Sequence, residues 1–140
     1  ISNFAKDGYY SKHNSGYWKQ VPYIGIGPSA HSYNGKSRQW NFPRNMSYIR
    51  AINNDGVFYE TEVLDQKERY HDYIMTTLRT IWGTDKEFIL KEFGQEFYDH
   101  FVKSAAGFIK SGELVHEKGI YYLTDRGMWI SDFIIRKLFI

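Results

Sequence analysis

Two short blocks carry the side chains best suited to chemistry. The first, His13-Asn14-Ser15-Gly16-Tyr17-Trp18, sets an imidazole and an amide beside two aromatic rings. An imidazole ligates a metal or donates to a carboxylate, and flat rings cover the face of a planar ligand. The same side chains serve equally well as a brace, with His13 and Asn14 bonded to a loop and Tyr17 and Trp18 packed beneath it. The second block runs Tyr23-Ile24-Gly25-Ile26-Gly27-Pro28-Ser29-Ala30-His31-Ser32. Gly25 and Gly27 lack the Cβ that holds a backbone away from a ligand, although glycines at a strand end also serve bends and bulges. A proline follows the second glycine and no GxGxxG is completed, so the block is not a dinucleotide fingerprint. His31, next to Ser32, is a second candidate ligand that faces a cavity or an outer wall according to strand register.

The remaining polar groups are less pointed. His71 and His100 fall in stretches dominated by packing residues and His116 in an expected hairpin, and the five histidines show no HExxH or other metal spacing. Arg38, Trp40, Asn41 and Arg44 form a basic and aromatic cluster suited either to a carboxylate or to an Arg stem lying over an indole. The chain has no cysteine, which excludes disulfides and thiolate metal sites. No catalytic residue and no metal ligand is assigned.

These groups need elements to hold them. Residues 21–32 read as a strand running into a glycine turn, 37–42 as a second extended piece, and 45–54 as a short helix closed by Asn54-Asp55-Gly56. From there the texture turns helical. Asp65 and Glu68 fit a capping box, and Tyr70, Tyr73, Ile74, Leu78 and Ile81 predict a helix over 65–82. Asp85 starts a helix to Phe93, and Phe97, Phe101, Ala105 and Phe108 stripe another that Gly112 ends. Leu114 to Glu117, a Lys118-Gly119 turn and Ile120 to Leu123 read as a β-hairpin. Thr124 caps a last helix expected to face Trp129, Ile130, Phe133, Ile134 and Leu138 inward.

The motifs occur in an order that resembles the oxygen-independent coproporphyrinogen III oxidase-like radical SAM family. The glycine block with Ala30, His31 and Ser32 is similar to the end of that family's barrel, and HNxxYW at 13–18 to the signature of its haem-chaperone branch, HemW. Ile1-Ser2-Asn3-Phe4-Ala5-Lys6 resembles the family's ISNFAKPG segment, with Asp7 where proline is usual, and residues 112–127, including Leu123-Thr124-Asp125-Arg126-Gly127, resemble its C-terminal domain. The resemblance implies an α+β chain. Residues 1–58 are expected to be the C-terminal edge of a radical SAM barrel and 59–140 a mostly helical, winged-helix-like domain. It implies a parent with a [4Fe-4S] cluster and S-adenosylmethionine, held by a CxxxCxxC motif absent here, and a tetrapyrrole, haem or coproporphyrinogen, as its ligand. Gly25, Gly27, Ala30, Ser32, His13, Asn14, Tyr17, Trp18 and His31 are the expected cofactor-side residues. A haem chaperone is expected rather than a true oxidase, with a haem-acceptor protein as partner, and residues 1–140 alone are expected to show no turnover.

Composition sets outer bounds. The 140 residues are 42% hydrophobic and 19% aromatic, enough for a core. No apolar run approaches a membrane span, and with no disulfide framework the expected location is the cytoplasm. Ile1 to Ala5 reads like the interior of a fold, so more chain is expected upstream. Residues 1–58 hold seven Lys/Arg against two Asp/Glu, a net +5, and 59–140 hold eleven against fourteen, a net −3. The basic first part suits an anionic ligand, or is a solvated rim. Two readings from other classes remain: a winged-helix protein-interaction module, and a DNA reader, which the mixed charge of residues 95–111 disfavours. An edge left open by truncation is expected to favour homodimers.

Overall fold

The computed structural model describes residues 4–140; Ile1, Ser2 and Asn3 of the ISNFAK segment lie outside the described residues. Among the described residues the chain is α+β, with seven helices and two three-stranded antiparallel sheets. No described helix is long and apolar enough to cross a membrane. The chain divides into two compact units, Gln20–Asp65 and Gln66–Ile140, the latter including the segment up to Lys19.

That segment carries α1, Lys12–Trp18, whose N-cap Ser11 accepts a hydrogen bond from the amide of Asn14 at 3.3 Å. Tyr10 meets Trp82 edge-on at 5.7 Å, and the Lys19 ammonium sits 4.2 Å from the Trp82 ring centre. Both contacts tie the segment to the later part of the chain.

The unit 20–65 is built on β1 (His31–Tyr33), β2 (Ser37–Asn41) and β3 (Tyr59–Val63), hydrogen-bonded in that order, with α2 (Asn45–Asn53) between the last two. The Asn34 carboxamide accepts from the amides of Lys36 and Ser37, which fixes the β1–β2 turn. His31 then pairs with Trp40 and Trp40 with Glu60, while Tyr33 pairs with Arg38 and Arg38 with Glu62. The strand expected over 21–32 is not formed as such. Only Tyr23 bridges, to Tyr33, and the regular strand begins at His31, after the glycines instead of before them. Pro22 and Pro28 have no amide to offer a ladder, and Gly27 and Ser29 take positive φ of 103° and 60°.

The core lies in the other unit. Helices α3 (Gln66–Thr77), α4 (Lys86–Phe93) and α5 (Gln95–Ser111) pack with the hairpin β5 (Leu114–Glu117) and β6 (Ile120–Leu123), and β4 (Thr84–Asp85) pairs with β6. Tyr70, Ile74, Ile89, Phe101, Ala105, Ile134 and Leu138 are fully buried there. Asp85 caps α4 by accepting from the amides of Glu87 and Phe88. The hairpin turns at Lys118 and Gly119 with φ of 48° and 91°, the left-handed pair a two-residue turn needs.

Two expectations in this unit are corrected. Helix α3 ends at Thr77 rather than Trp82, because Thr76, Thr77 and Thr80 turn their hydroxyls back onto backbone carbonyls. The final helix is two helices, α6 (Asp125–Trp129) and α7 (Ser131–Leu138), broken at Ile130 (φ −120°, ψ 25°). The break moves the apolar register. Ile134, Ile135 and Leu138 face the core, whereas Trp129 is 90% exposed, Phe133 47% and Ile130 43%.

Candidate functional site

The candidate residues fall into two groups, one in each unit. In the first group the HNxxYW block is helical and makes up most of α1. Residues four apart on a helix share a face, and His13 and Tyr17 do so. The Tyr17 hydroxyl lies 3.0 Å from His13 Nε2, and the rings meet edge-to-face at 4.9 Å between centres. Both side chains are exposed, whereas Asn14 and Trp18 are half-buried. The helix thus presents a hydrogen-bonded imidazole–phenol pair to solvent. A ring nitrogen in that position can exchange a phenol partner for a metal or a carboxylate.

The second group is the glycine block, and its bonds are turned inward. The Gly25 amide donates to Ser32 Oγ at 3.0 Å, and the Gly27 amide to the Tyr48 hydroxyl at 3.3 Å. The Asn41 carboxamide, from the end of β2, donates to the carbonyls of Gly27 at 2.9 Å and Gly25 at 3.4 Å. The Asn41 amide bonds the Ala30 carbonyl at 2.9 Å, and Asn41 is buried. A Cβ on Gly25 would overlap the His31 carbonyl oxygen, so only glycine fits against that strand. The loop is a rigid, cross-braced lip.

His31 stands at the edge of the sheet, exposed, with its ring 6.5 Å from that of its cross-strand partner Trp40. Trp40 Nε1 donates to Glu60 at 2.9 Å, and Arg38 lies 3.9 Å from Glu62. Paired residues share a face, so His31, Trp40 and Glu60 form one row and Tyr33, Arg38 and Glu62 the next. Of the Arg38 cluster, Arg38 and Trp40 therefore work across the sheet, while Asn41 serves the glycine lip.

Sequence reasoning missed Tyr48 as a brace of Gly27, and Tyr10, Lys19 and Trp82 as the anchor of the α1 segment. Tyr48 left no signal, since tyrosine on a short helix is ordinary. Asn41 did leave one, because asparagine is depleted in strands and a buried one must spend its amide on something.

The other histidines are structural. His71 stacks on Phe139 at 4.1 Å and bonds the backbone of Ile140, and His100 bonds the Phe139 carbonyl at 2.9 Å. His116 stacks on Tyr121 at 4.3 Å. Among the described residues no group of three His, Cys, Asp or Glu side chains could hold a metal ion.

The segment around the hairpin carries the match to a known domain. Thr124 caps α6 by accepting from the Gly127 amide, and its own amide donates to the Glu113 carbonyl. Gly127 presses so close to Glu113 that a Cβ would overlap its carbonyl oxygen, and Arg126 reaches the buried Glu113 carboxylate at 3.0 Å. This local architecture lies within residues 64–130, which match the family model described as the HemN C-terminal domain. Residues 64–130 are a HemN C-terminal domain. Beyond it, the chain is 31% identical to the haem chaperone HemW of Bacillus subtilis over 94% of its length, and 29% identical to HemW of Lactococcus lactis over 98%. These alignments span 35% and 36% of the relatives, so the chain covers about a third of their length. Among solved structures, that of the Escherichia coli coproporphyrinogen III oxidase HemN, a radical SAM enzyme, superposes with a TM-score of 0.65. It covers 83% of this chain and 28% of that one at 19% identity, which shows a shared fold.

Proposed function

We propose that this chain is the C-terminal part of a HemW-like haem chaperone. The HNxxYW helix offers a haem ligand, the sheet of β1 to β3 with its glycine lip forms the last wall of a radical SAM barrel, and the winged-helix-like HemN C-terminal domain docks a haem-accepting protein. The reading places the chain in the cytoplasm. The observation that carries it is the exposed His13–Tyr17 pair on an N-capped helix, in a chain aligned to haem chaperones over nearly its full length.

A [4Fe-4S] cluster would supply one-electron chemistry to S-adenosylmethionine in the full-length protein. This chain does not fit the cluster, since it has no cysteine and thiolates are the cluster's usual ligands. The amides of Gly25 and Gly27 are both spent inside the lip, so the block acts on a neighbouring ligand through its shape. What remains for these residues is binding. His13 ligates iron once Tyr17 releases its nitrogen, and Tyr17 and Trp18 supply ring surface.

Titration of the chain with hemin, followed by the Soret band, tests this. The wild-type chain and His31→Ala are expected to shift the band, and His13→Ala to lose the shift. If His13→Ala keeps the shift, haem ligation by His13 is wrong; if His31→Ala alone loses it, the ligand is on the sheet.

A further inference from the structure

The break at Ile130 leaves apolar surface outside the core, next to an open groove of about 430 Å³ between α5 and α7. Ser104, Gly107 and Ser111 line its α5 side, while Phe108, Phe133 and Lys137 complete it. Phe108 meets Phe133 edge-on at 6.2 Å, and Lys137 Nζ lies 5.7 Å from the Phe133 ring centre. Positions 104, 107 and 111 recur at three- and four-residue spacing, so small side chains run along one helix face. A Cβ on Gly107 would meet nothing within 4 Å. The track is open, narrow and walled by aromatic rings.

Lysines stand along the groove rims. Lys103 and Lys110 stand four residues before and three after Gly107, on the solvent side of the same helix face. Lys137 closes the opposite edge. Two acidic groups beside the lining residues are already engaged: Glu113 by Arg126 at 3.0 Å and by the hydroxyl of the lining Ser111, and Asp132, next to Phe133, by Arg79 at 2.7 Å. Lysines on both rims thus face whatever enters, over an apolar floor.

We infer that this groove binds an amphipathic helix of a partner protein, with an apolar stripe and flanking carboxylates. Large apolar side chains three and four residues apart would pack along the track against Phe108 and Phe133, and the carboxylates would face Lys103, Lys110 and Lys137. The small-residue track favours a helix over a bulkier surface, because it lets a helix ridge seat close to the α5 backbone. The inference rests on the docking half of the function proposed above and not on haem.

The test uses a fluorescein-labelled synthetic helix of roughly four turns, with leucines at that spacing and glutamates flanking them, titrated with the full chain and read by anisotropy. A permuted peptide of the same composition and a peptide with lysines in place of the glutamates serve as controls. The acidic amphipathic helix is expected to bind and both controls to fail. Gly107→Leu fills the track without strain and is expected to weaken binding ~10-fold or more, and Lys137→Glu to weaken it and flatten its salt dependence. Circular dichroism verifies that both variants keep the helices. Equal binding of the permuted peptide, or an unaffected Gly107→Leu, overturns the inference. So does light scattering that shows a dimer abolished by Gly107→Leu, which gives the groove to a second copy. Displacement of the peptide by phosphatidylglycerol vesicles gives it to a lipid surface and overturns the inference as well. The hemin titration reads His13, which is not among the groove-lining residues, and separates failure here from failure there.

Discussion

A nitrogen that already shares a hydrogen bond must give it up before it ligates iron, and His13 Nε2 shares one with Tyr17 at 3.0 Å. An exposed bond of this kind is worth ~1 kcal/mol, so Tyr17→Phe is expected to tighten hemin binding by ~5-fold while His13→Ala removes it. Titration of both variants beside the wild type checks this, and weaker binding by Tyr17→Phe would instead make the phenol part of the site. At the domain end, single residues carry architecture. Gly127 sits against the Glu113 carbonyl with no room for a methyl, so Gly127→Ala forces α6 away from the hairpin. The expected cost is ~2–3 kcal/mol, measured by urea denaturation. A cost below ~0.5 kcal/mol would show that α6 shifts freely.

Elements were legible where their ends carried their own chemistry. Asp85 announced α4 because a carboxylate before an apolar run has few other uses, and Lys118-Gly119 announced the hairpin because both residues must take positive φ. Helix α3 was overrun by five residues, since Leu78 and Ile81 keep the helical spacing while the threonine hydroxyls that end it leave no mark on an apolar pattern. The same limit hid the break at Ile130, and with it the outward turn of Phe133. The site was legible by residue type and not by role. The glycine block reads as a place for a ligand, yet its polar groups are consumed by Ser32, Tyr48 and Asn41, contacts that span up to 21 residues and that no local pattern encodes. Asn41→Ala is therefore expected to strip two carbonyls of their donor and cost ~2 kcal/mol, with faster amide exchange at Gly27 and Ala30. Unchanged exchange at those amides would make Asn41 a bystander.

At the scale of the chain, burial is unevenly shared. The cluster of buried apolar side chains belongs wholly to residues 70–138, and in the unit 20–65 only Asn41 and Leu64 are buried. Backbone hydrogen bonds over a thin core open easily, so amides of β1 to β3 are expected to exchange faster than those of α3 and α5, and equal protection would refute this. The core also writes its own pH dependence. Tyr70 donates to the Leu138 carbonyl at 2.8 Å, and burial raises its pKa well above the ordinary 10.0. Burial pushes Tyr73 up to about 12 and raises Tyr121 as well. In the unfolded chain these phenols ionise near pH 10, while in the folded chain they still hold their protons. The unfolded state therefore binds fewer protons above that pH, and stability must fall as pH rises from 10 toward 12, whereas below 10 the contribution is complete. Urea midpoints are expected to be level up to about pH 9 and to drop steeply by about pH 11. Tyr70→Phe leaves the Leu138 carbonyl without its donor and is expected to cost ~1–2 kcal/mol at neutral pH. It also removes one ionising phenol, so its midpoint should fall less steeply in alkali, narrowing the gap to the wild type. A variant that keeps the full wild-type slope would place the alkaline transition on groups other than these buried tyrosines.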